Sequence, residues 1–160
     1  MRRGLLSVAA AMVVLAFAGV WHGGYAESPP APTATAPTSP APTATASLVT
    51  RMVGANETSP NKSTATGTAK ITVDVLHDQV CWNLSVQKLQ GTVTQAHIHR
   101  APAGKDGPVV LGLSPPAGGS SRGCKRVGPS LARDIVKDPG AYYVNVHTSK
   151  FPDGEIRGQL

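Results

Sequence analysis

Histidine is the residue type in this sequence whose spacing is typical of a metal-binding site. His97 and His99 are separated by a single residue, and His147 lies in a later segment. On a β-strand, residues two apart project from the same face about 7 Å from each other. Three imidazoles with an open fourth position suit zinc or copper. The pattern predicts a Cu or Zn site if the strand of His147 neighbours the strand of His97 and His99.

The same three histidines also have a structural interpretation. His97 and His99 precede a Gly-rich loop, residues 101–108, and their rings can hold that loop by hydrogen bonds. His147 can cap the turn that follows it. Further polar side chains for such a network lie close to His147 in the sequence: Asn145, Asp153, Glu155 and Arg157. Both interpretations, metal ligands and structural network, stay open on the sequence alone.

The sequence has no strong match to other catalytic or phosphate-binding motifs. The sequence has no Gly-x-Ser-x-Gly motif, and no Gly-rich loop leads directly into a helix as a phosphate-binding loop would. Arg157, within a short strand, is predicted to pair with Asp153 or Glu155. No catalytic residue is assigned, so a non-enzymatic function is favoured and the question of enzyme activity stays open.

Hydrophobic alternation with period two predicts that strands carry these residues. In residues 69–75 and 80–86 every second side chain is apolar, and in residues 94–100 and 142–148 the histidines lie opposite the apolar residues. Further strands are predicted at residues 48–53, 109–113, 124–127 and 155–160. One short helix is predicted near residues 130–138, between Pro129 and the Asp138-Pro139-Gly140 stop. The fold class is therefore all-β, an antiparallel β-sandwich or barrel of immunoglobulin-like or Cu/Zn-superoxide-dismutase-like type.

The first part of the chain has the composition of a targeting segment and a spacer. Arg2 and Arg3 precede an uncharged apolar stretch over residues 5–20, and small residues then lead to a predicted cleavage site near Ala26. This layout predicts a signal peptide over residues 1–26, since the stretch is shorter than the roughly 20 residues that span a bilayer. Residues 27–46 are rich in Pro, Thr and Ala, cannot form an apolar face and are predicted to be a disordered linker. Residues 47–160 form the predicted β domain, secreted to the extracellular space or the periplasm, with no transmembrane segment in the mature chain.

Two cysteines, Cys81 and Cys124, are present. An even number in an exported chain favours one disulfide bond, and two free buried thiols are the alternative.

The net charge is +6 at pH 7, or +4 without Arg2 and Arg3. The basic residues are scattered and aromatic residues are few, so no nucleic-acid partner is predicted, because such binders need a dense basic surface with stacking aromatics.

Two motifs resemble those of a known family. Residues 96–110, with His97, Ile98 and His99 followed by Gly104 and a Gly-Pro-Val, resemble the HIH-x-G-x-x-G-x-x-GP-V segment of the CHRD domain, which is named after chordin and also occurs in secreted bacterial proteins. Residues 142–148 (YYVNVHT) and 154–160 (GEIRGQL) look like its closing motif. Ala101 stands where the family often has Gly. The cysteine positions resemble the disulfide pair of bacterial members.

The resemblance implies a β-sandwich or barrel in an extracellular protein, acting as a binding or structural module for an unknown extracellular protein or surface ligand. A weaker likeness is to Cu/Zn superoxide dismutase, whose copper-side histidines are similar to His97, His99 and His147. The bridging histidine and zinc loop of that enzyme have no counterpart here. This second likeness implies a mononuclear copper site and not a dismutase.

Overall fold

A computed structural model describes residues 45–160 of the protein. The predicted signal peptide, residues 1–26, and the linker up to residue 44 lie outside the described residues. The described part consists of eight strands and one α-helix. They are, in chain order, β1 (Thr45–Val53), β2 (Thr66–Asp74), β3 (Gln79–Gln87), β4 (Val93–Arg100), β5 (Val109–Leu113), β6 (Ser120–Arg126), α1 (Pro129–Lys137), β7 (Tyr142–Thr148) and β8 (Ile156–Gln159). Within this part, no helix is both long and apolar enough to cross a membrane.

The eight strands form one antiparallel sheet that curls into a nearly closed barrel. Their order across the sheet is β5-β4-β7-β8-β1-β2-β3-β6. The first and second strands, and the second and third, pair as consecutive hairpins, whereas β4 pairs with the distant β7. The prediction of an all-β antiparallel sandwich or barrel with one short helix is confirmed.

The side chains of the barrel core come from the apolar faces of the strands. On β2 and β3, the side chains of Ile71, Val73, Val80 and Leu84 are completely buried, while the residues between them face outwards or are only partly covered. Burial of side chains of this size stabilises the fold by about 1.5–3 kcal/mol each. The alternation in the sequence therefore corresponds directly to the inside and outside of the barrel.

The helix closes part of the core. It begins with Pro129 at a position where no backbone N–H is needed, and Lys137 lies in its last turn. Ala132 and Ile135, three residues apart on one helix face, are completely buried, and the helix packs against β2. The helix lies within one residue of the predicted range at both ends.

Several strands are longer than the sequence predicted, β1 and β6 most of all. β1 begins at Thr45, because its first residues pair with the far end of β2, with Thr45 opposite Asp74. β6 begins at Ser120, four residues before the predicted start at Cys124. Its residues are mostly exposed or half-buried at the edge of the sheet, so they show no apolar alternation. Pairing with β3, from Ser85 opposite Ser120 onwards, holds β6 in place instead.

β7 differs from the other strands because all seven of its residues are buried. Tyr142, Val144 and Val146 face the barrel core, as the alternation predicts. The opposite face, with Tyr143, Asn145 and His147, was expected to lie at the surface of the barrel. Three loops cover that face, and they contribute residues 57–59, 106–107 and 152–154 to a cavity over it. The outer face of β4 and β7 is thus a second, polar interior.

Cys81 and Cys124 form a disulfide bond. They lie directly opposite each other on β3 and β6, so the bond fastens an edge strand to its neighbour. The predicted disulfide is confirmed, and the alternative of two free thiols is wrong.

A double variant, Cys81→Ser with Cys124→Ser, tests the contribution of this bond. The cysteines are 43 residues apart, and closing a loop of that length stabilises a protein by about 4 kcal/mol in the chain-entropy model. We expect the variant to lose a free energy of unfolding of that size, measured by urea unfolding. A change below about 1 kcal/mol would contradict this expectation. It would mean that the unfolded chain without the bond is already restricted nearly as much as the chain with it.

Candidate metal centre

The three predicted histidines come together on the outer face of β4 and β7. His97 and His99 alternate on β4, and Asn145 pairs with His97 across the ladder, which places His147 diagonally from His97. The ring centroid of His147 lies 5.2 Å from that of His97 and 6.1 Å from that of His99. One nitrogen from each of the three rings lies within 4.8 Å of the other two. His97 Nδ1 and His147 Nε2 are 3.4 Å apart. Two ligands of a tetrahedral zinc ion with Zn–N bonds near 2.0–2.1 Å are about 3.3–3.4 Å apart.

The hydrogen bonds of two rings decide which nitrogen is free. His99 Nδ1 lies 2.9 Å from the carbonyl oxygen of Gly107, and His147 Nδ1 lies 2.9 Å from that of Pro152. A carbonyl only accepts, so each Nδ1 carries the proton and each neutral ring keeps a lone pair on Nε2. His99 Nε2 is buried and has no hydrogen-bond partner within residues 45–160. Metal-binding histidines commonly have this arrangement, in which the other nitrogen donates to a carbonyl.

These bonds also bear on the structural interpretation of the histidines. His99 does hold the Gly-rich loop, through Gly107, and His147 does hold the turn that follows it, through Pro152. Both bonds use Nδ1 alone. For His99 and His147, holding the loops therefore uses Nδ1 and leaves Nε2 for another partner. Without an ion, His147 Nε2 is the acceptor of a hydrogen bond from His97 Nδ1, so at this nitrogen a metal ion would replace a structural contact.

Electrostatics keep two of the rings neutral. Burial lowers the pKa of His97, and the neighbouring His147 and His99 lower it further. Burial is also the main cause that lowers the pKa of His99, against the opposing hydrogen bond to Gly107. Since only a neutral imidazole binds a metal ion, lowered pKa values favour metal binding at neutral pH.

A stack of side chains supports His99 from behind. The ring of Tyr143 lies parallel to the His99 ring, with centroids 4.7 Å apart. The guanidinium of Arg157 lies on Tyr143, 4.0 Å from the ring centroid. Tyr143 also accepts a hydrogen bond from the backbone N–H of Gly107 at 3.3 Å. The orientation of His99 is therefore fixed both by its ring face and by its Nδ1.

Arg157 is buried, and its partners are not the predicted ones. Its Nε lies 3.0 Å from Glu57 Oε2, and its Nη2 lies 2.6 Å from Asp106 Oδ1. The predicted pairing with Asp153 or Glu155 is wrong. β8 begins only at Ile156, and Gly154 has a φ of 134°, so the chain before β8 does not keep the strand alternation that would put Glu155 beside Arg157.

Glu155 instead joins two loops and the end of β7. It is completely buried and accepts hydrogen bonds from Ser63 Oγ, the backbone N–H of Gln90 and Thr148 Oγ1. Asn145 belongs to the Arg157 side, because its Nδ2 donates to Glu57 Oε2 at 3.4 Å. Asp153 is exposed at the rim of the cavity. The four polar residues predicted as one network thus divide between two networks and the cavity rim.

Glu57 and Asp106 are the site residues that the sequence did not reveal. Both lie in loops without periodicity, and Glu57 is far from Arg157 along the chain. One signal was available: the chain has nine acidic residues, and a buried arginine needs at least one of them. This condition limits the possible partners of Arg157 to the nine acidic residues, but it does not identify Glu57 and Asp106 among them.

A cavity of about 400 Å³ adjoins the histidines. Two of the three, His99 and His147, line it together with Tyr143, Asn145 and Arg157. The remaining wall comes from the covering loops: Glu57, Thr58, Ser59, Asp106, Gly107, Pro152, Asp153 and Gly154. The cavity therefore borders the rings of His99 and His147, although the Nε2 atom of His99 is itself buried.

Comparison with known proteins decides the family. The CHRD domain model matches residues 48–160, which is well over half of the chain. The chain belongs to the CHRD domain family. The match includes His97, His99, His147, both cysteines, most of β1 and all of the later strands. No curated protein and no solved structure matched the chain.

The CHRD domain of this chain contains a buried carboxyl group, that of Glu57, whose ionisation affects the stability of the fold. Burial raises the pKa of Glu57 from 4.5 to about 7, although Arg157 opposes the shift. The folded state then holds this proton more tightly than the unfolded state, so ionising Glu57 destabilises the fold. Stability from this group is present below pH 4.5 and is lost as the pH rises towards about 7.

Glu57→Gln removes this titration and preserves the shape of the side chain. We expect metal-free wild type to lose about 1–3 kcal/mol of unfolding free energy relative to the variant between pH 4.5 and pH 7. Above pH 7 the difference should stay constant. Urea unfolding of both proteins across this range measures the difference in unfolding free energy. The same pH dependence in both proteins would contradict the raised pKa of Glu57.

Proposed function

We propose that this chain is an exported CHRD-domain protein whose domain binds one copper or zinc ion through His97, His99 and His147. The observation that carries the proposal is the convergence of three imidazole nitrogens within 4.8 Å of one another. Two of the rings have their second nitrogen engaged by a backbone carbonyl, as metal-binding histidines commonly do.

The donor set favours Cu and Zn among the common metals. Imidazole nitrogen suits zinc and copper, whereas calcium and magnesium prefer oxygen ligands. Both cysteines are joined in the disulfide, so no thiolate from this domain is available as a softer ligand. Three imidazoles leave a fourth position open, and two of them line the cavity.

Export is supported by three independent features. The CHRD family is of extracellular type, and a disulfide bond is typical of oxidising compartments. The first 26 residues also have the composition of a signal peptide. The domain acts as a non-enzymatic binding module in the extracellular space or the periplasm.

Isothermal titration calorimetry of the metal-free domain with Cu(II) and with Zn(II) tests the site. We expect one ion per chain with a dissociation constant below ~10 μM for at least one of the two metals. A His97→Ala/His99→Ala double variant should lose this binding, and His147→Ala should weaken it at least tenfold. His77→Ala is the matched control, because His77 is exposed and pairs with Asp74 away from the cluster. Equal binding by the double variant and the wild type would refute the proposal.

The pH dependence of zinc binding gives a separate test. Burial lowers the pKa values of His97 and His99, so protons compete less with zinc for these two rings than for solvent-exposed histidines. We expect zinc affinity to be nearly constant from pH 7 to pH 8 and to fall at lower pH as ligand rings become protonated. Calorimetry at several pH values measures this fall. A steady decrease in affinity already between pH 8 and pH 7 would contradict the buried environment assigned to the two rings.

A further inference from the structure

One outer face of the barrel collects cations that are far apart in the sequence. Arg51 lies on β1, Lys70 on β2, and Arg122 and Arg126 on β6. Lys70 pairs with Asn83 of β3, and Asn83 pairs with Arg122. Arg51 lies diagonally beside Lys70, since its own partner on β2 is two residues earlier. Positions related in this way share one side of a sheet, and all four cations are exposed. We call this outer side of β1, β2, β3 and β6 the basic face.

Negative charge on the basic face is sparse. Among residues 45–160, the one acidic residue on these four strands is Asp74, and its carboxylate lies 2.7 Å from His77 Nδ1. None of the four cations forms an ion pair within the same range of residues. A surface with four positive charges against one negative charge attracts anions. The cavity beside the histidines differs, because three carboxylates line it.

The basic face also contains two shallow depressions, with volumes of about 460 and 380 Å³. Arg51 lines the first, whereas Lys70 and Arg122 line the second. Small hydroxyl and amide side chains line them too, among them Thr66, Thr68 and Ser85 in the first and Thr72 and Asn83 in the second. Side chains of this kind donate and accept hydrogen bonds, as the hydroxyl groups of a sugar do. The depressions adjoin, since Thr68 and Lys70 are two residues apart on β2.

This arrangement suits an extended ligand better than a compact one. Lys70 and Arg122 are two strands apart, so their backbones are separated by about 10 Å. Arg51 is about 7–8 Å from Lys70 on the diagonal. The cations therefore follow a line and do not surround one point. Bases of single-stranded nucleic acids stack on aromatic side chains, but Trp82, the one aromatic residue on the four strands, is buried.

We propose that the basic face binds an acidic polysaccharide, with its sugar rings along the two depressions. Carboxylates of the polymer pair with Arg51, Lys70 and Arg122, while its hydroxyl groups bond to the small polar side chains between them. The strands of this face carry none of the three clustered histidines, so the proposal is independent of the metal site. It names a chemical class for the surface ligand of an exported domain.

Calorimetric titration of the metal-free chain with polygalacturonate tests the proposal, because this polymer has one carboxylate on each sugar ring. We expect a dissociation constant below ~100 μM at an ionic strength of ~0.02 M. At ~0.2 M the affinity should fall at least about tenfold, because salt screens exposed charges. Two further probes are matched to the polymer: dextran has sugar rings without charge, and poly-L-glutamate has carboxylates without sugar. Each should bind at least about tenfold more weakly than polygalacturonate.

The double variant Lys70→Gln/Arg122→Gln removes two exposed charges from the basic face and should weaken polygalacturonate binding about tenfold. Lys105→Gln/Lys150→Gln is the matched control, because it removes the same charge from exposed positions in the loops after β4 and β7. The control should bind within about twofold of the wild type. Thermal unfolding of both double variants verifies that they fold.

Asn83→Ala tests the hydrogen bonds separately from the charges. The residue lies between Lys70 and Arg122 and is exposed, so its replacement leaves both the net charge and the core unchanged. We expect polygalacturonate binding to weaken about twofold to fivefold, as for the loss of one hydrogen bond. This variant also keeps the proposal testable if Lys70→Gln/Arg122→Gln does not fold.

Three results would overturn the proposal. Absence of polygalacturonate binding by the wild type at ~0.02 M ionic strength would show that the face does not hold such a polymer. An equal loss of affinity in both double variants would mean that only the net charge of the chain matters. Binding of poly-L-glutamate as tight as that of polygalacturonate would indicate an acidic protein segment as the partner. None of these results bears on the binding of copper or zinc.

Discussion

The buried guanidinium of Arg157 is the constraint on which the candidate site depends. A charge that is 3% exposed must be compensated by nearby partners, because removing it from water costs several kcal/mol. Its partners come from the loop after β1, which carries Glu57, and from the loop after β4, which carries Asp106. The same guanidinium stacks on Tyr143, which stacks on His99. One cation thus ties two covering loops to the ring that faces the other histidines.

The site also shows how one pair of strands can serve two interiors. Ala96 and Ile98 on β4 belong to the barrel core, while His97 and His99, which alternate with them, face the covered outer side. β7 repeats the division, with Val144 and Val146 inside. A shift of either strand by one residue would exchange the two sets of side chains. The hydrophobic core therefore fixes the face of the sheet on which the histidines lie.

The sequence predicted what depends on local periodicity. The strands with one apolar face, such as β2 and β3, and the short helix with its proline start were recognised within a few residues of their bounds. The likeness of β4 and β7 to a metal-binding pattern was visible because His97 and His99 lie two residues apart on a strand. The juxtaposition of His147 required the pairing of β4 with β7, which are distant in sequence. Long-range contacts of this kind leave no local pattern, and for the same reason Glu57 and Asp106 were not assigned as partners of Arg157.

The bond between Cys81 and Cys124 has a consequence for self-association. β6 is one of the two outermost strands of the sheet, and outermost strands offer unpaired backbone groups to other chains. If β6 detached, the longer β3 behind it would become the new border, with its apolar Val80, Trp82 and Leu84 beside freed backbone groups. Because the disulfide holds β6 against β3 near the middle of their ladder, even a partly unfolded chain keeps this border covered. The covalent bond thereby guards against fibre-like growth as well as against unfolding.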